Sequence, residues 1–453
     1  MGELERALRT GDLTLLVVGL VIGSGIFLVP GVVLQQVGGY AGLALVVWIA
    51  GGLLSLLGAL TYGELSVRHP QAGGLYAHLR QAFGPLVAFL YGWTLLLAIA
   101  SGALATLAVA FGEYLAHLVP LGALGQKVAA AGLILCVTAV NVRGVRHGAR
   151  LQNGTTLFKI ASLLGLSLLL LWLSEGSGLR EQRAQWWPAT WDPAWLSGAG
   201  LGLIGVLWAY EGWQYGTFSA GEVRNPRCAF PRAFSVGLLV LIALYSLANL
   251  AYLAALGSAR MGGSVSVAAE AVSHVWSPAA GRWVALAILV SILGAANGLV
   301  LTASRVYYAM ARDGLLFAWL GWVHVRYRTP VPALLVSSAW SLLLALLGTF
   351  ETLLTYVVFS GWLFYGLGAL SLFAYRRRDR SKPSEAVYRV PVYPWTPVLF
   401  ALAALGIVLN TLLARPAQGA VGLLIVATGL PVYGLWRWRA RRVAASAEPE
   451  ASR

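Results

Sequence analysis

Few side chains in this chain could do chemistry, and two of them sit where so apolar a sequence should not have them. Lys159 lies within the apolar run 155–174 and Glu211 within the run 197–220. A charge at the centre of a membrane span costs at least ~2.5 kcal/mol unless paired or hydrated, so each is a functional residue by default. Glu211 belongs to a break, Ala209-Tyr210-Glu211-Gly212-Trp213, and Gly23-Ser24-Gly25-Ile26-Phe27 interrupts the first apolar run in the same way. Glycine costs roughly 1 kcal/mol against alanine in a helix interior. An opened helix in hydrocarbon leaves unpaired N–H and C=O groups, each costing several kcal/mol, so a break persists where it lines a cavity.

The chemistry offered is binding rather than bond-making. Unwinding at Gly23 to Phe27 aims free N–H groups of a half-helix, with roughly half a positive charge, at the cavity, where they suit a carboxylate. Unwinding at the second break exposes carbonyls of Trp208, Ala209 and Glu211, which suit an ammonium group. Together they match a zwitterion, and paired breaks in two halves are the sequence pointer to a secondary-transporter site. The alternative for the glycines is close helix packing. For Lys159 it is snorkelling toward the membrane surface. Glu211 could face a substrate amine, take part in proton coupling, or hydrogen-bond the unwound backbone, the last being slightly favoured.

The composition requires a membrane class. The chain of 453 residues is 58% hydrophobic and 11% charged, with mean hydropathy +0.74; soluble domains carry about 25% charged residues. Apolar runs long enough to cross ~30 Å of hydrocarbon recur at 12–37, 41–65, 86–117, 126–142, 155–174, 197–220, 233–256, 281–311, 331–349, 352–375, 396–413 and 418–438. The expected fold is thus an all-α polytopic membrane protein with twelve transmembrane helices. Net charge +15 is no nucleic-acid signal, because 25 Lys and Arg fall on one side of this topology and six on the other, with Lys159 buried. The positive-inside rule puts both termini in the cytoplasm, and the expected location is the cytoplasmic membrane. Cys136 and Cys228 do not form a disulfide framework. The six histidines map to loops or span ends without metal-ligand spacing, so no metal, cofactor or enzymatic activity is expected.

The elements that position the two breaks divide as five, five and two. A broken span opens each set of five, and an odd count places the second set inverted relative to the first. The expected organisation is one transporter domain over 1–438, with repeats at 12–174 and 197–375, a last pair at 396–438, and a disordered cytoplasmic tail over 439–453. Tryptophans 186, 187, 191 and 195 are expected to anchor a loop at the interface. Residues 66–85 hold a re-entrant or interfacial segment, and Glu64 and Glu113 are expected at interfacial span ends.

Several motifs carry a resemblance. Gly23-Ser24-Gly25-Ile26-Phe27, Trp208-Ala209-Tyr210-Glu211-Gly212-Trp213, Glu222-Val223-Arg224-Asn225-Pro226-Arg227, Ala303-Ser304-Arg305-Val306-Tyr307 and Trp362-Leu363-Phe364-Tyr365-Gly366 stand in order along nearly the whole chain. The series resembles the amino acid–polyamine–organocation superfamily, in its L-type amino acid transporter branch. The resemblance implies a LeuT-like five-plus-five inverted repeat with discontinuous first and sixth helices, moving amino acids by alternating access. By position, Gly23, Ser24 and Gly25 belong to the substrate-binding break, Ser24 and Gly25 meeting the carboxylate. Carbonyls of Val21, Trp208, Ala209 and Glu211 would accept from the amine, and Phe359 and Trp362 are candidates for side-chain pocket walls. A lysine at 159 resembles a substitute for a sodium ion tethering the opened first span. Gly221 departs from the usual acidic pair, and Trp208 stands where phenylalanine is commoner, which would shrink the pocket. Leu118 to Gln126 has no cysteine, so no disulfide-linked ancillary subunit is expected. Neutral L-amino acids are the favoured substrates, by exchange or sodium-independent uptake. A cationic amino acid or polyamine permease and a non-transporting sensor are the alternatives.

Overall fold

A computed structural model describes residues 4–116, 118–181, 186–190, 193–264, 266–348, 350–379, 388–414 and 416–447. The helices in chain order are α1 (Thr10–Val21), α2 (Gly25–Gln36), α3 (Ala41–Arg68), α4 (Leu75–Phe83), α5 (Pro85–Thr94), α6 (Ala100–Ala116), α7 (Ala123–Val142), α8 (Val145–Leu173) and α9 (Ser177–Glu181). They continue with α10 (Pro193–Ala209), α11 (Pro226–Gly263), α12 (Val267–Val275), α13 (Gly281–Arg312), α14 (Val331–Leu347), α15 (Phe350–Asp379), α16 (Trp395–Ala414) and α17 (Pro416–Ala447). A π-helical turn, Leu95–Ile99, joins α5 to α6 into one span. Among the described residues the one strand-like feature is a parallel bridge between Leu8 and Val223.

Eight of these helical stretches are long and apolar enough to cross a membrane, nine when α1 and α2 are taken as one bent span. The bend between them is 50° and falls at Ile22–Ser24. The chain is therefore a multi-pass integral membrane protein. The shorter α14 is also apolar. Hydropathy marks the apolar part of a helix rather than its ends: α8 begins ten residues before the run at 155, with two polar turns that include Arg146 and Arg150.

One expectation at the C-terminus is corrected. Residues 439–447 continue α17 instead of forming a disordered tail. Ala, Arg and Val follow Trp438 without glycine or proline, so the helix has no reason to stop there. Residues 448–453 lie outside the described residues. Of the loop tryptophans, Trp186 and Trp187 cover Gly42 at the start of α3, and the Trp186 carbonyl accepts the Gly42 N–H at 3.0 Å; Trp191 lies outside the described residues.

The basic face of the bundle is tied by buried ion pairs. Arg305 on α13 meets Glu222 in a two-pronged pair at 2.8 and 3.0 Å, and both side chains are fully buried. The Leu8 N–H also donates to the Glu222 carbonyl at 2.9 Å, and the Leu8 carbonyl accepts the Arg224 N–H at 2.9 Å. Glu64, near the end of α3, is wholly buried within the protein. Arg68, Arg376 and the Val390 N–H all converge on it, because a buried carboxylate needs its lone pairs filled. Asp313 takes the Tyr76 hydroxyl at 2.9 Å and Arg80 at 2.8 Å, which docks the amphipathic α4 against the end of α13.

Removing one partner of a buried pair leaves an uncompensated charge, at about 3–5 kcal/mol. Arg305→Met should therefore lower the melting temperature of the detergent-purified protein well below that of the exposed control Arg227→Ala. Adding Glu222→Gln should recover part of the loss. Equal melting of the two single variants would show that the pair does not hold this face together.

Candidate functional site

The two breaks meet. α1 ends at Val21 and α2 starts at Gly25, with Ser24 as the residue before its first turn, so the first amides of α2 have no acceptor within the helix. α10 ends at Ala209, the chain turns through Tyr210–Gly212, and a 3-10 helix, Trp213–Glu222, follows. Gly212 has φ +130°, a left-handed conformation open to glycine, and a Cβ there would lie 2.7 Å from the Leu20 carbonyl oxygen. A Cβ on Gly25 would lie 2.9 Å from both Cα and Cβ of Ala209. Each break thus carries one glycine that lets the other approach.

Between them lies a cavity of about 90 Å³. Its walls include Val21, Gly23, Ser24 and Gly25 from the first break and Trp208, Ala209, Glu211 and Gly212 from the second. Thr106 of α6, Tyr215, Ala295 and Val357 complete much of the remainder. The structure so brings together seven of the nine residues expected to bind substrate. Phe359 and Trp362 are not among the lining residues. The Phe359 ring lies over Gly422 of α17, and Trp362 packs on Phe400 and Tyr365, with ring centroids 5.7 and 5.9 Å away. Positions three apart share one helix face, and this face of α15 turns to α16 and α17 instead of the cavity.

The opened backbone of α1 is satisfied by side chains. Lys159 Nζ, buried on α8, donates to the Gly19 carbonyl at 2.6 Å and the Ile22 carbonyl at 2.7 Å. Ser291 of α13 adds its hydroxyl to Ile22 at 3.0 Å. An ammonium at the C-terminal end of α1 also offsets the negative pole of that half-helix. Lys159 therefore tethers the break, and the snorkelling alternative falls away.

The carbonyls offered to an ammonium group are only partly free. The Trp208 carbonyl already accepts the Glu211 N–H at 3.0 Å. Tyr245 of α11 places its hydroxyl 3.1 Å from the Val21 carbonyl and 3.2 Å from that of Ala209. One O–H cannot fully serve two acceptors, so lone-pair capacity remains on both. Glu211 Oε1 takes the Tyr365 hydroxyl at 2.8 Å and the Gln214 amide at 3.4 Å, while Oε2 is buried without a partner. The expected contact of this carboxylate with the unwound backbone is not made, because Gln214 accepts the Gly212 N–H in its place, at 3.0 Å. Tyr245, Ser291, Gln214 and Tyr365 are the functional neighbours that sequence reasoning missed. Each is an ordinary residue on its own helix, and only the packing of distant helices gives it a role.

The comparisons fit this geometry. A profile of the family described as amino acid permease matches residues 8–435. The chain belongs to the amino acid permease family. The serine/threonine exchanger SteT of Bacillus subtilis (strain 168) is 31% identical over 92% of this chain and 94% of its own length. The b(0,+)-type amino acid transporter 1 of Mus musculus is 32% identical over 93% and 86%, and the human cystine/glutamate transporter 31% over 93% and 83%. The family and these relatives are transporters, not enzymes, so this permease is a membrane carrier of amino acids.

Two substitutions test the site. Gly25→Leu should abolish amino acid uptake with normal membrane insertion, since its side chain must displace Ala209 and part the breaks. Lys159→Ala strips two carbonyls of their donor and frees α1, so it should alter transport while substrate binding is less affected. Wild-type uptake by a correctly inserted Gly25→Leu protein, or unchanged transport in Lys159→Ala, would contradict these roles.

Proposed function

We infer that this permease moves neutral L-amino acids across the cytoplasmic membrane by alternating access, by exchange or by sodium-independent uptake. The supporting observation is the facing pair of breaks, with amides of α2 on one side of the cavity and the carbonyls of Val21 and Ala209 on the other. A zwitterion satisfies both poles at once. In this reading Gly23, Ser24 and Gly25 hold the carboxylate, and Val21, Ala209 and Glu211 surround the amine. The bundle would have twelve spans with a five-plus-five inverted repeat, α1–α8 and α10–α15, and both termini in the cytoplasm. The cation that meets the opened end of α1 is Lys159 of α8, so this reading requires no sodium. With no cysteine between Leu118 and Gln126, the carrier would work without a disulfide-linked ancillary subunit.

The size of the cavity favours small side chains. Its volume, about 90 Å³, is below the ~150 Å³ of an apolar cavity that admits benzene. The SteT relative is named as a serine/threonine exchanger, which is consistent. One observation favours a second reading: the unpartnered Oε2 of Glu211 at the cavity wall could take a cationic substrate group.

A thermal-shift screen of the purified protein over the amino acids separates the two, because a ligand of the folded state raises its stability by mass action. Serine, alanine or threonine should stabilise most. Selective stabilisation by lysine or arginine would favour the second reading, and no stabilisation by any amino acid would contradict both.

Trp208 sets the upper size limit in this account. Trp208→Ala should shift preference toward larger neutral substrates, by a graded amount, since each methylene is worth ~1–3 kcal/mol in an apolar pocket. Competition of labelled-substrate uptake by alanine, leucine and phenylalanine measures it. An unchanged rank order in a folded variant would remove the indole from substrate selection.

A further inference from the structure

A second cleft, of about 380 Å³, opens on the basic face beside the start of α1. Three separate pieces of chain wall it: the segment before α1 with its first turn, the first turns of α8, and the stretch that follows the 3-10 helix. They contribute Arg9, Arg146, Arg150 and Arg224, set against one carboxylate, Asp12. Asp12 is already engaged, accepting the Arg9 N–H at 2.9 Å and the Asn153 amide at 2.7 Å. Arg146 pairs with Glu5 outside the lining. Arg224 gives its Nε to the Arg6 carbonyl at 3.3 Å. Among the described residues no ion pair neutralises Arg9, Arg150 or Arg224, and all three side chains are exposed.

The cleft sits at the depth of lipid headgroups. On α8 the polar turns 145–153 precede the apolar run from 155, and on α1 the buried apolar residues begin at Leu13. α1 and α8 both begin at this cleft, so the positive ends of two helices add to the arginine field. Basic pockets between spans on the cytoplasmic side are sites for anionic headgroups.

We propose that this cleft binds a phosphate group, supplied by an anionic phospholipid of the adjoining leaflet, between Arg9, Arg150 and Arg224. The bound headgroup bridges three pieces of chain: the Leu8–Val223 bridge already joins the first to the third, and the Asn153–Asp12 bond joins α8 to the first. In the alternating-access reading above, on which this role rests, it stabilises the closed form of the basic face.

The test is a binding measurement that needs no transport. Full-length protein in a neutral detergent is titrated with dioctanoyl phosphatidylglycerol, with dioctanoyl phosphatidylcholine, and with inorganic phosphate, followed by thermophoresis. Saturable binding of phosphatidylglycerol, well ahead of phosphatidylcholine, is expected. The double variant Arg9→Gln/Arg150→Gln should bind it roughly 30-fold more weakly, from about 1 kcal/mol for each arginine lost. The double variant with lysine at both positions should retain much of the affinity, which separates lost charge from misfolding. Three results would overturn the proposal. Phosphatidylglycerol could bind no better than phosphatidylcholine. The loss could be matched by Arg143→Gln/Arg227→Gln, outside the cleft, which would mean diffuse surface attraction. Inorganic phosphate at low millimolar concentration could displace the lipid, which would make the ligand a free anion.

Discussion

Everything at the centre of this carrier depends on two carbonyls that have lost their helix. Gly19 and Ile22 belong to a turn whose amide partners would be residues 23 and 26, and the chain departs from helical geometry before it reaches them. In hydrocarbon those oxygens cannot turn to water, so the opening of α1 exists only because the Lys159 ammonium and the Ser291 hydroxyl supply donors. The lysine is in turn acceptable within the bundle because the carbonyls and the helix end give it a negative environment. Neither defect is stable without the other. A metal ion would supply a point charge at the same place; here the charge is covalently fixed to α8.

The rest of the cavity follows from how closely two opened segments can be brought together. Gly25 and Gly212 remove the side chains that would keep them apart, and Tyr245 spans the contact with a single hydroxyl. The hydroxyl leaves acceptor capacity facing the cavity, opposite the amides of α2. Glu211 adds a carboxylate that is half satisfied, by Tyr365 and Gln214. The remaining wall is mostly apolar, with Leu20, Ala103, Leu107, Ala295, Leu299 and Val357, and adds the hydroxyl-bearing side chains of Thr106 and Tyr215. In the proposed reading, backbone groups of such a site would meet the invariant part of an amino acid and leave its side chain to the rest of the wall.

Much of this was legible in the sequence because breaks in apolar runs are costly and local. Gly23-Ser24-Gly25 and Glu211-Gly212 stand out against their surroundings, and so does a lone lysine at 159. What could not be read was which face each helix turns inward. Phe359 and Trp362 are aromatic and adjacent to a recognised motif, yet α15 directs them to α16 and α17. Glu64 sat near a span end, and its burial depends on Arg376 and Val390, more than three hundred residues away in the chain. Tyr245 had no local signal, since a tyrosine on an apolar helix is unexceptional until two carbonyls from elsewhere reach it. The continuation of α17 past Trp438 was hidden by a composition that suits either a helix or a tail.

The central claim is that an ammonium fixed to α8 and bonded to the opened end of α1 lets the paired breaks carry a zwitterion without a sodium ion. Uptake of labelled serine by purified protein in sodium-free proteoliposomes, empty or preloaded with unlabelled serine, tests it most directly. The account predicts saturable uptake in the absence of sodium, accelerated by preloading where exchange is the working mode. Uptake that appears only when sodium is added would contradict it.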